Sequence, residues 1–597
     1  MKVQLVQHRI KFYGAAIAAA AVLLLIGCSG KRNDTTIEFD KNKPERGDWV
    51  VVHDLSDPNG LNPITTSDAG ASNIFRRIFE PLLDIDFATT ELRPNIASKM
   101  PDISDDHLTY TFSIHKNITF SDGKPLTAND VIFTFKALKN PLIAEGAAVR
   151  NYVEDIEDAV KLDDYTVKFT MRKPYFLADY AIGNTVGILP KHKLDPKGLT
   201  DLYTFAETND FERAKANASM QEFATWFGKP ECSRSPELLI GSGPYILEEW
   251  NTGQNIRLKR NEKYWNAGNN PNMMQYPDKI IYKTIPDRPT AVTEVKNGDV
   301  DFMEYVPPKL YVNSIDAEKI RTIVKGEFTT SVYMYIGWNM RRSVFADKRT
   351  RQAMSYMVDR NKLIQSVVLG FGKITNSPVY SDRPEYDKSL VPYDYNPNKA
   401  RQLLAEAGWS DSDGDGQLDK VVNGKKTNFT FSMMVNIGNE IRNNIALLLA
   451  DELKKIGITM TVSPTDWSVF QQNARMGEFD SYIGAWVNDP MPTDPYQLWH
   501  SSQATNQGSN YCGFMNKRAD QLIEMNRLEF DQQKRNVLMK EFQEIVHDEQ
   551  PYTFLWSAVN PAVYAARLQG VKFYSARPGY NPGEWWIPKQ LRKYTKD

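Results

Sequence analysis

Between Asn428 and Trp499 the chain alternates short apolar runs with amphipathic stretches. Asn428–Asn436 (NFTFSMMVN) reads as a strand. Over Asn439–Ile456, residues Ile441, Ile445, Leu448, Leu449, Leu453 and Ile456 fall on one face of a helix, and Gly457 stops it. Ile458–Val462 (ITMTV) reads as a second strand, about Asp466 to Met476 as a short helix closed by Gly477, and Phe479 opens a third strand. A β-α-β-α-β order predicts three parallel neighbours. The third strand breaks into a turn crowded with Asn488, Asp489, Pro490, Pro492, Asp494 and Pro495, which neither a strand nor a helix interior tolerates. In parallel sheets ligands sit beyond the carboxyl ends of the strands, where this turn falls; the rival reading is a polar surface loop.

The remaining length and composition bound the class. At 597 residues the chain is too long for one core, and 41% hydrophobic with 24% charged residues excludes both a disordered chain and a membrane bundle. Aromatics reach 11%, with 12 Trp and 28 Tyr, which suits either a large aromatic core or a surface buried against a ligand. Met1–Gly27 has a basic start (Lys2, Arg9, Lys11) and the apolar run Gly14–Gly27, short for a bilayer span and typical of a secretory signal. It ends in Leu25-Ile26-Gly27-Cys28, similar to the bacterial lipobox, in which the cysteine is acylated; the rival is an uncleaved anchor. Removing Lys2, Arg9 and Lys11 leaves 69 Lys and Arg against 74 Asp and Glu, a charge of −5, so no basic surface for nucleic acid is implied. Of three cysteines, Cys232 and Cys512 remain, as two free buried thiols or a disulfide. No HExxH, CxxC, GxSxG or P-loop is present, which leaves a hydrolase without motif support.

Along the rest of the chain, 28–46 reads as a tether, Trp49–Leu55 as a strand and Ser72–Phe79 as a helix. From Tyr110 a hairpin or meander leads through the turn Ser121-Asp122-Gly123 to a helix with Thr127 as N-cap and Asp130 three residues on. This stretch resembles the segment shared by family 5 extracellular solute-binding proteins, the oligopeptide-, dipeptide- and nickel-binding receptors of ABC importers. Further pieces match in order: Asp57-Pro58 with Leu61-Asn62-Pro63, Leu92–Ala97, Gly241-Ser242-Gly243-Pro244-Tyr245, Leu258-Lys259-Arg260-Asn261 with Tyr264-Trp265, and Asn297-Gly298-Asp299-Val300-Asp301. Phe345-Ala346-Asp347, Arg351-Gln352-Ala353, Asp359-Arg360, Tyr395-Asn396-Pro397 and Leu403–Trp409 come after them.

The resemblance implies an α/β, two-lobed periplasmic-binding-protein fold of type II, in its large three-subdomain cluster C variety, with the lobes joined by two hinge crossings near Val300–Pro307 and Phe554–Pro561. Residues 47–80, 186–300 and 560–597 would form the core of lobe I, 81–185 an extra subdomain, and 301–559 lobe II. It also implies a monomeric receptor, lipid-anchored through Cys28 on the extracytoplasmic side of a bacterial envelope, at the periplasmic face or the cell surface. Such a receptor binds a small peptide or similar solute and passes it to an ABC permease, with no catalytic residue and no cofactor. In the family's peptide receptors an Asp shortly after a Trp holds the ligand's α-ammonium. Trp486 followed by Asp489 has that spacing, flanked by Ala485 and Val487, and Asp494 is the alternative acid. Trp467 stands where the family carries a cleft tryptophan, core packing being the other reading, and Asp68, Ala69 and Gly70 stand where lobe I offers backbone to the ligand. The arginines that neutralise a peptide carboxylate are not matched: Arg475 is one position off and Ile483 replaces another. A metal-chelate receptor in the same fold, and a membrane-anchored hydrolase, are the alternatives. Asp411, Asp413, Asp415 and Asp419 resemble a weak structural calcium loop, but its twelfth position is Val422, so an Asp/Gly hairpin turn competes.

Overall fold

The computed structural model describes residues 40, 43–66, 69–422, 424–487, 491–505 and 508–594. Pro44–Asp597 forms one compact unit. Cys28, Asp68 and Asp489 lie outside the described residues.

The main sheet is built from β1 (Trp49–Asp54), β2 (Tyr245–Asn251), β3 (Asn255–Arg260), β4 (Lys279–Thr284), β5 (Phe302–Met303), β6 (Ile323–Trp338), β7 (Thr430–Asn436), β8 (Thr459–Thr465), β9 (Ser481–Val487) and β10 (Tyr552–Ala565). Their spatial order is β8-β7-β9-β6-β10-β5-β1-β4-β3-β2, with Gly372–Ile374 added to β10. The helix Glu440–Lys454 (α1) joins β7 to β8, and Trp467–Met476 (α2) joins β8 to β9. The three strands are parallel neighbours, as their pattern predicts, with Asn436 beside Thr465 and Met434 beside Tyr482. Ile445, Leu449, Leu453 and Ile456 are buried on the predicted face of α1, Asn439 caps its start by accepting from Arg442 N–H, and Gly457 follows its end at φ +81°.

Two long strands carry the chain between the halves. The near end of β6, Ile323–Thr329, pairs with Val559–Ala565 of β10, and its far end, Tyr333–Gly337, pairs with Tyr552–Ser557 of β10 and, from Val332 to Trp338, with β9. The register of β6 on β10 slips between Thr329 and Tyr333, a bulge that bends the ribbon where it passes from one half to the other. The outward passage through β6 lies further along the chain than the sequence suggests. Phe302–Met303 is instead a short strand between β1 and β10. Pro307-Pro308 then opens the helix Pro308–Asn313, and Val306, Tyr311, Ile315 and Ile323 pack into one apolar cluster with Val51 and Val563. That cluster keeps the chain in the first half until β6 begins.

The predicted capping box is present, with Thr127 accepting from Asn129 N–H and Asp130 accepting from Thr127 N–H at the start of Ala128–Lys139. The helix predicted at Ser72–Phe79 runs instead over Ala69–Phe75. The Gly241-Ser242-Gly243 motif has a packing cause: a Cβ on Gly241 would lie 1.7 Å from the Ile78 carbonyl oxygen, and one on Gly243 2.6 Å from that of Arg77. Ser242, between them, donates to Glu80 Oε2 at 2.8 Å; Trp265 Nε1 donates to the same oxygen at 2.8 Å and the Tyr264 hydroxyl to Oε1 at 2.6 Å. Burial outweighs these donors and pushes the Glu80 carboxyl up to about 7. A raised folded value means that the fold binds a proton the unfolded chain has released, so this group's stabilisation is complete below about 4.5 and is lost as pH rises through 7. Thermal midpoints measured between those pH values are expected to fall with rising pH, and Glu80→Gln is expected to flatten that slope.

Candidate functional site

The carboxyl ends of β7, β8 and β9 form one edge, and Trp467, Ala485, Trp486 and Val487 stand there. Ala485 and Trp486 are half-buried at the end of β9, and Val487 is 46% exposed. The Trp486 indole is held from below: its Nε1 donates to the Tyr552 hydroxyl at 3.3 Å, and its ring lies parallel to Tyr335 at 6.5 Å and tilted against Tyr511 at 5.7 Å. Tyr335 in turn stacks on Tyr552 at 3.9 Å and shares a 2.9 Å hydrogen bond with Tyr482. This buried tyrosine cluster fixes the indole plane, so one side of Trp486 is core and the other is surface.

Trp467 opens α2 and is 51% exposed, which sets aside the core-packing reading. It stacks on Phe470 at 5.3 Å, with the Arg442 guanidinium 5.8 Å from its ring and anchored to Asn436 Oδ1 at 2.8 Å. Burial lowers the pKa of Arg442. The edge therefore offers two indoles and a guanidinium, an apolar wall with one cation, suited to a guest with varied side chains. Arg475 is exposed in the last turn of α2, and Ile483 is fully buried in the core.

Asp494 is already engaged. Its Oδ2 lies 3.1 Å from Arg527 and accepts from the Tyr175 hydroxyl at 3.0 Å, while Oδ1 accepts from Tyr496 N–H at 3.1 Å. Ala69 and Gly70 begin a helix after β1, in the other half of the sheet.

At the carboxyl ends of β1 and β5 the structure adds residues that no local sequence pattern marks. Glu304 follows β5 directly; one of its oxygens is buried with no hydrogen-bond partner, and burial, then the charge of Asp54, pushes its carboxyl up to about 8. Asp54 ends β1, and His53 beside it contacts the Ile285 carbonyl at 3.0 Å. The rule that ligands gather beyond parallel strand ends could have flagged Asp54 and Glu304, but it needs the β1–β5 pairing, which joins residues some 250 apart and is invisible locally.

Cys232 and Cys512 are free and buried, and burial raises the pKa of both thiols. In the acidic loop, Asp411, Asp413 and Asp419 bring ligand atoms within 4.8 Å of one another, whereas Asp415 is not part of the group. Asp411 is used by the turn itself, accepting from the N–H groups of Gly414, Asp415 and Gly416, and the Lys426 ammonium pairs with both Asp413 and Asp419. No helix of the described residues is long and apolar enough to cross a membrane.

This architecture is shared with known proteins over nearly its whole length. The chain is 32% identical over 581 residues to the oligopeptide-binding protein AppA of Bacillus subtilis, covering 96% of this chain and 98% of that one. The structure of AppA in complex with a nonapeptide superposes with a TM-score of 0.70 at 30% identity, over 92% of this chain and all of that one. The dipeptide-binding protein of Escherichia coli is 26% identical over 545 residues, 87% of this chain and 91% of that one. The Campylobacter jejuni protein NikZ, solved with Ni(L-His), shares the fold with a TM-score of 0.70 at 24% identity, over 90% of this chain and 99% of that one. Residues 91–509 match the model of the bacterial extracellular solute-binding proteins, family 5 Middle, and the chain belongs to that family.

Proposed function

We propose that this protein is an extracytoplasmic receptor that captures peptides between its two halves and delivers them to an ABC importer. The observation that carries the reading is the near full-length likeness to an oligopeptide-binding protein, at 32% identity. The indole of Trp486, fixed by Tyr552 and followed three residues later by Asp489, supports it. Trp486, Ala485, Val487 and Trp467 form the wall of the site, Asp489 neutralises the ligand's α-ammonium, and Asp68, Ala69 and Gly70 are the ligand contacts of lobe I. A charge-assisted bond of this kind is stronger in a closing cleft than in water, provided both charges are paired. Capture requires no bond chemistry and no cofactor: contacts made only in the closed form shift an open–closed equilibrium, and the importer reads the closed form.

Residues 47–80, 186–300 and 560–597 serve as the core of lobe I and 81–185 as its extra subdomain; of 301–559, the stretch before β6 packs with lobe I and the rest serves as lobe II. The Asp411–Asp419 loop serves as a hairpin turn closed by Lys426 rather than as a calcium site, because the ammonium already supplies the positive charge between Asp413 and Asp419. The receptor works as a monomer tethered by acylated Cys28. Cys28→Ala is expected to block incorporation of labelled palmitate and to release the protein from the membrane fraction; retention in that fraction without label counts for an uncleaved anchor.

The decisive experiment is a native mass-spectrometric inventory of what copurifies with Pro44–Asp597, followed by calorimetric titration with the peptides found. Bound peptides with free amino ends are the expected result. A bound metal chelate with no peptide affinity, or turnover of added peptide, overturns the reading.

A further inference from the structure

The segment between Trp338 and Tyr552 is joined to the rest of the chain covalently only through β6 and β10, so every other tie between the two halves is a contact that opening would break. A dense set of such ties gathers at Asp494, Arg527 and Phe530. From the other half, the Tyr175 hydroxyl donates to Asp494 Oδ2 at 3.0 Å, and Phe176 N–H donates to the Arg527 carbonyl at 3.0 Å. The Arg527 guanidinium sits 4.8 Å from the Tyr175 ring and 4.5 Å from the Tyr496 ring, paired with Asp494 at 3.1 Å. Beside them the His107 ring stacks on Phe530 at 3.6 Å and 11°, the Arg535 guanidinium lies 4.7 Å from the Phe176 ring, and Met491 and Phe530 pack against Ile85, Phe176, Leu177 and Tyr180.

We propose that Asp494, Arg527 and Tyr175, with Phe530 against His107, form a clasp that holds the halves closed, and that Asp494 is a positioning residue rather than a ligand contact. Both Asp494 oxygens already accept bonds or pair with Arg527, which leaves a poor acceptor for a ligand ammonium. Met491, Thr493 and Asp494 lie soon after the end of β9, so the clasp ties the segment after Trp486 to the opposite half. Thr493 is itself fixed by two 3.0 Å bonds to Glu385 Oε1. None of these contacts involves the guest, so the clasp favours closure with or without it; it lowers the cost of closing and slows release. A true ligand contact would act on the occupied form alone.

The test uses Pro44–Asp597 carrying spin labels at the exposed positions Asp105 and Lys517, through Asp105→Cys and Lys517→Cys, since the native cysteines are buried. In the double variant Tyr175→Phe/Phe530→Ala the ligand-free distance distribution is expected to move to longer separations, and release of bound peptide to accelerate about tenfold. Tyr175→Phe alone, which removes one hydroxyl and keeps the ring, is expected to move both readouts the same way by less. Tyr152→Phe, at a 52% exposed tyrosine of the same region, is expected to move neither. An unchanged distribution in the ligand-free double variant overturns the clasp, as does a change confined to the occupied form. The release arm rests on the peptide-receptor reading, whereas the ligand-free distances do not: a protein that binds no peptide but opens in the variant sinks that reading and upholds the clasp.

Discussion

Arg567→Met is expected to destabilise the fold by about 3–5 kcal/mol, because it strands two buried carboxylates. Arg567 donates through Nε and Nη2 to the two oxygens of Asp301, each at 2.7 Å, through Nη1 to Asp48 Oδ2 at 2.5 Å, and through Nη2 to the Trp49 carbonyl at 3.0 Å. Side-chain exposure is 7% for the arginine, 0% for Asp48 and 1% for Asp301. The acids are tied onward: Asp301 Oδ2 accepts from Val51 N–H at 2.9 Å, and Asp48 accepts from the N–H groups of Lys593 and Tyr594. One guanidinium therefore pins the start of β1, the lead into β5, the exit of β10 and the C-terminal segment. The double variant Arg567→Met/Asp301→Asn is expected to recover part of the loss, since one stranded charge is then removed. Urea midpoints of the wild type and both variants check this; equal midpoints for the single variant and wild type would show that the triad contributes nothing net.

Asp489→Asn is expected to weaken binding of a peptide with a free amino end by about 100-fold or more, in line with the loss of one partner from a desolvated charge pair. Its N-acetylated counterpart is expected to lose far less, because it brings no ammonium to neutralise. The comparison separates a charge role from a shape role, which a single affinity could not do. Calorimetry on both peptides supplies the measurement, and equal weakening of the two would count against the ammonium role. Asp494→Asn, by contrast, is expected to affect both peptides alike, since Asp494 acts on closure through Tyr175 and Arg527.

The parallel unit β7-α1-β8-α2-β9 was legible because each of its signals is local. Apolar spacing over α1, the stop at Gly457 and the apolar run into β9 all operate within a few residues, and tertiary packing agreed with them. The capping box at Thr127 and Asp130 was legible for the same reason. Motif order along the chain carried the family, and the Gly241–Gly243 motif turns out to mark a close approach of two backbones. The outward crossing was misplaced because the sequence near Val300–Pro307 says only that a strand ends and prolines come next. That the chain stays in the first half for another helix depends on Val306, Tyr311 and Ile315 finding Val51 and Val563, partners about 250 residues away on either side.

Asp489 and Asp494 mark the boundary between the two kinds of information. Their spacing after Trp486 and the prolines around them point, from sequence alone, to a turn with carboxylates at the end of a parallel strand. Composition could not give the partners of either acid, since both carry the same charge and both precede a proline. Only the folded chain brings Tyr175 and Arg527 to Asp494, and Asp54 near Glu304, because those encounters are set by how distant strands pair and how the halves meet. The sequence alone therefore determined the parallel unit β7-α1-β8-α2-β9 and the family. Which acid is taken up in holding the halves together was decided by tertiary structure, since a carboxylate's role depends on the partners that desolvate and pair it.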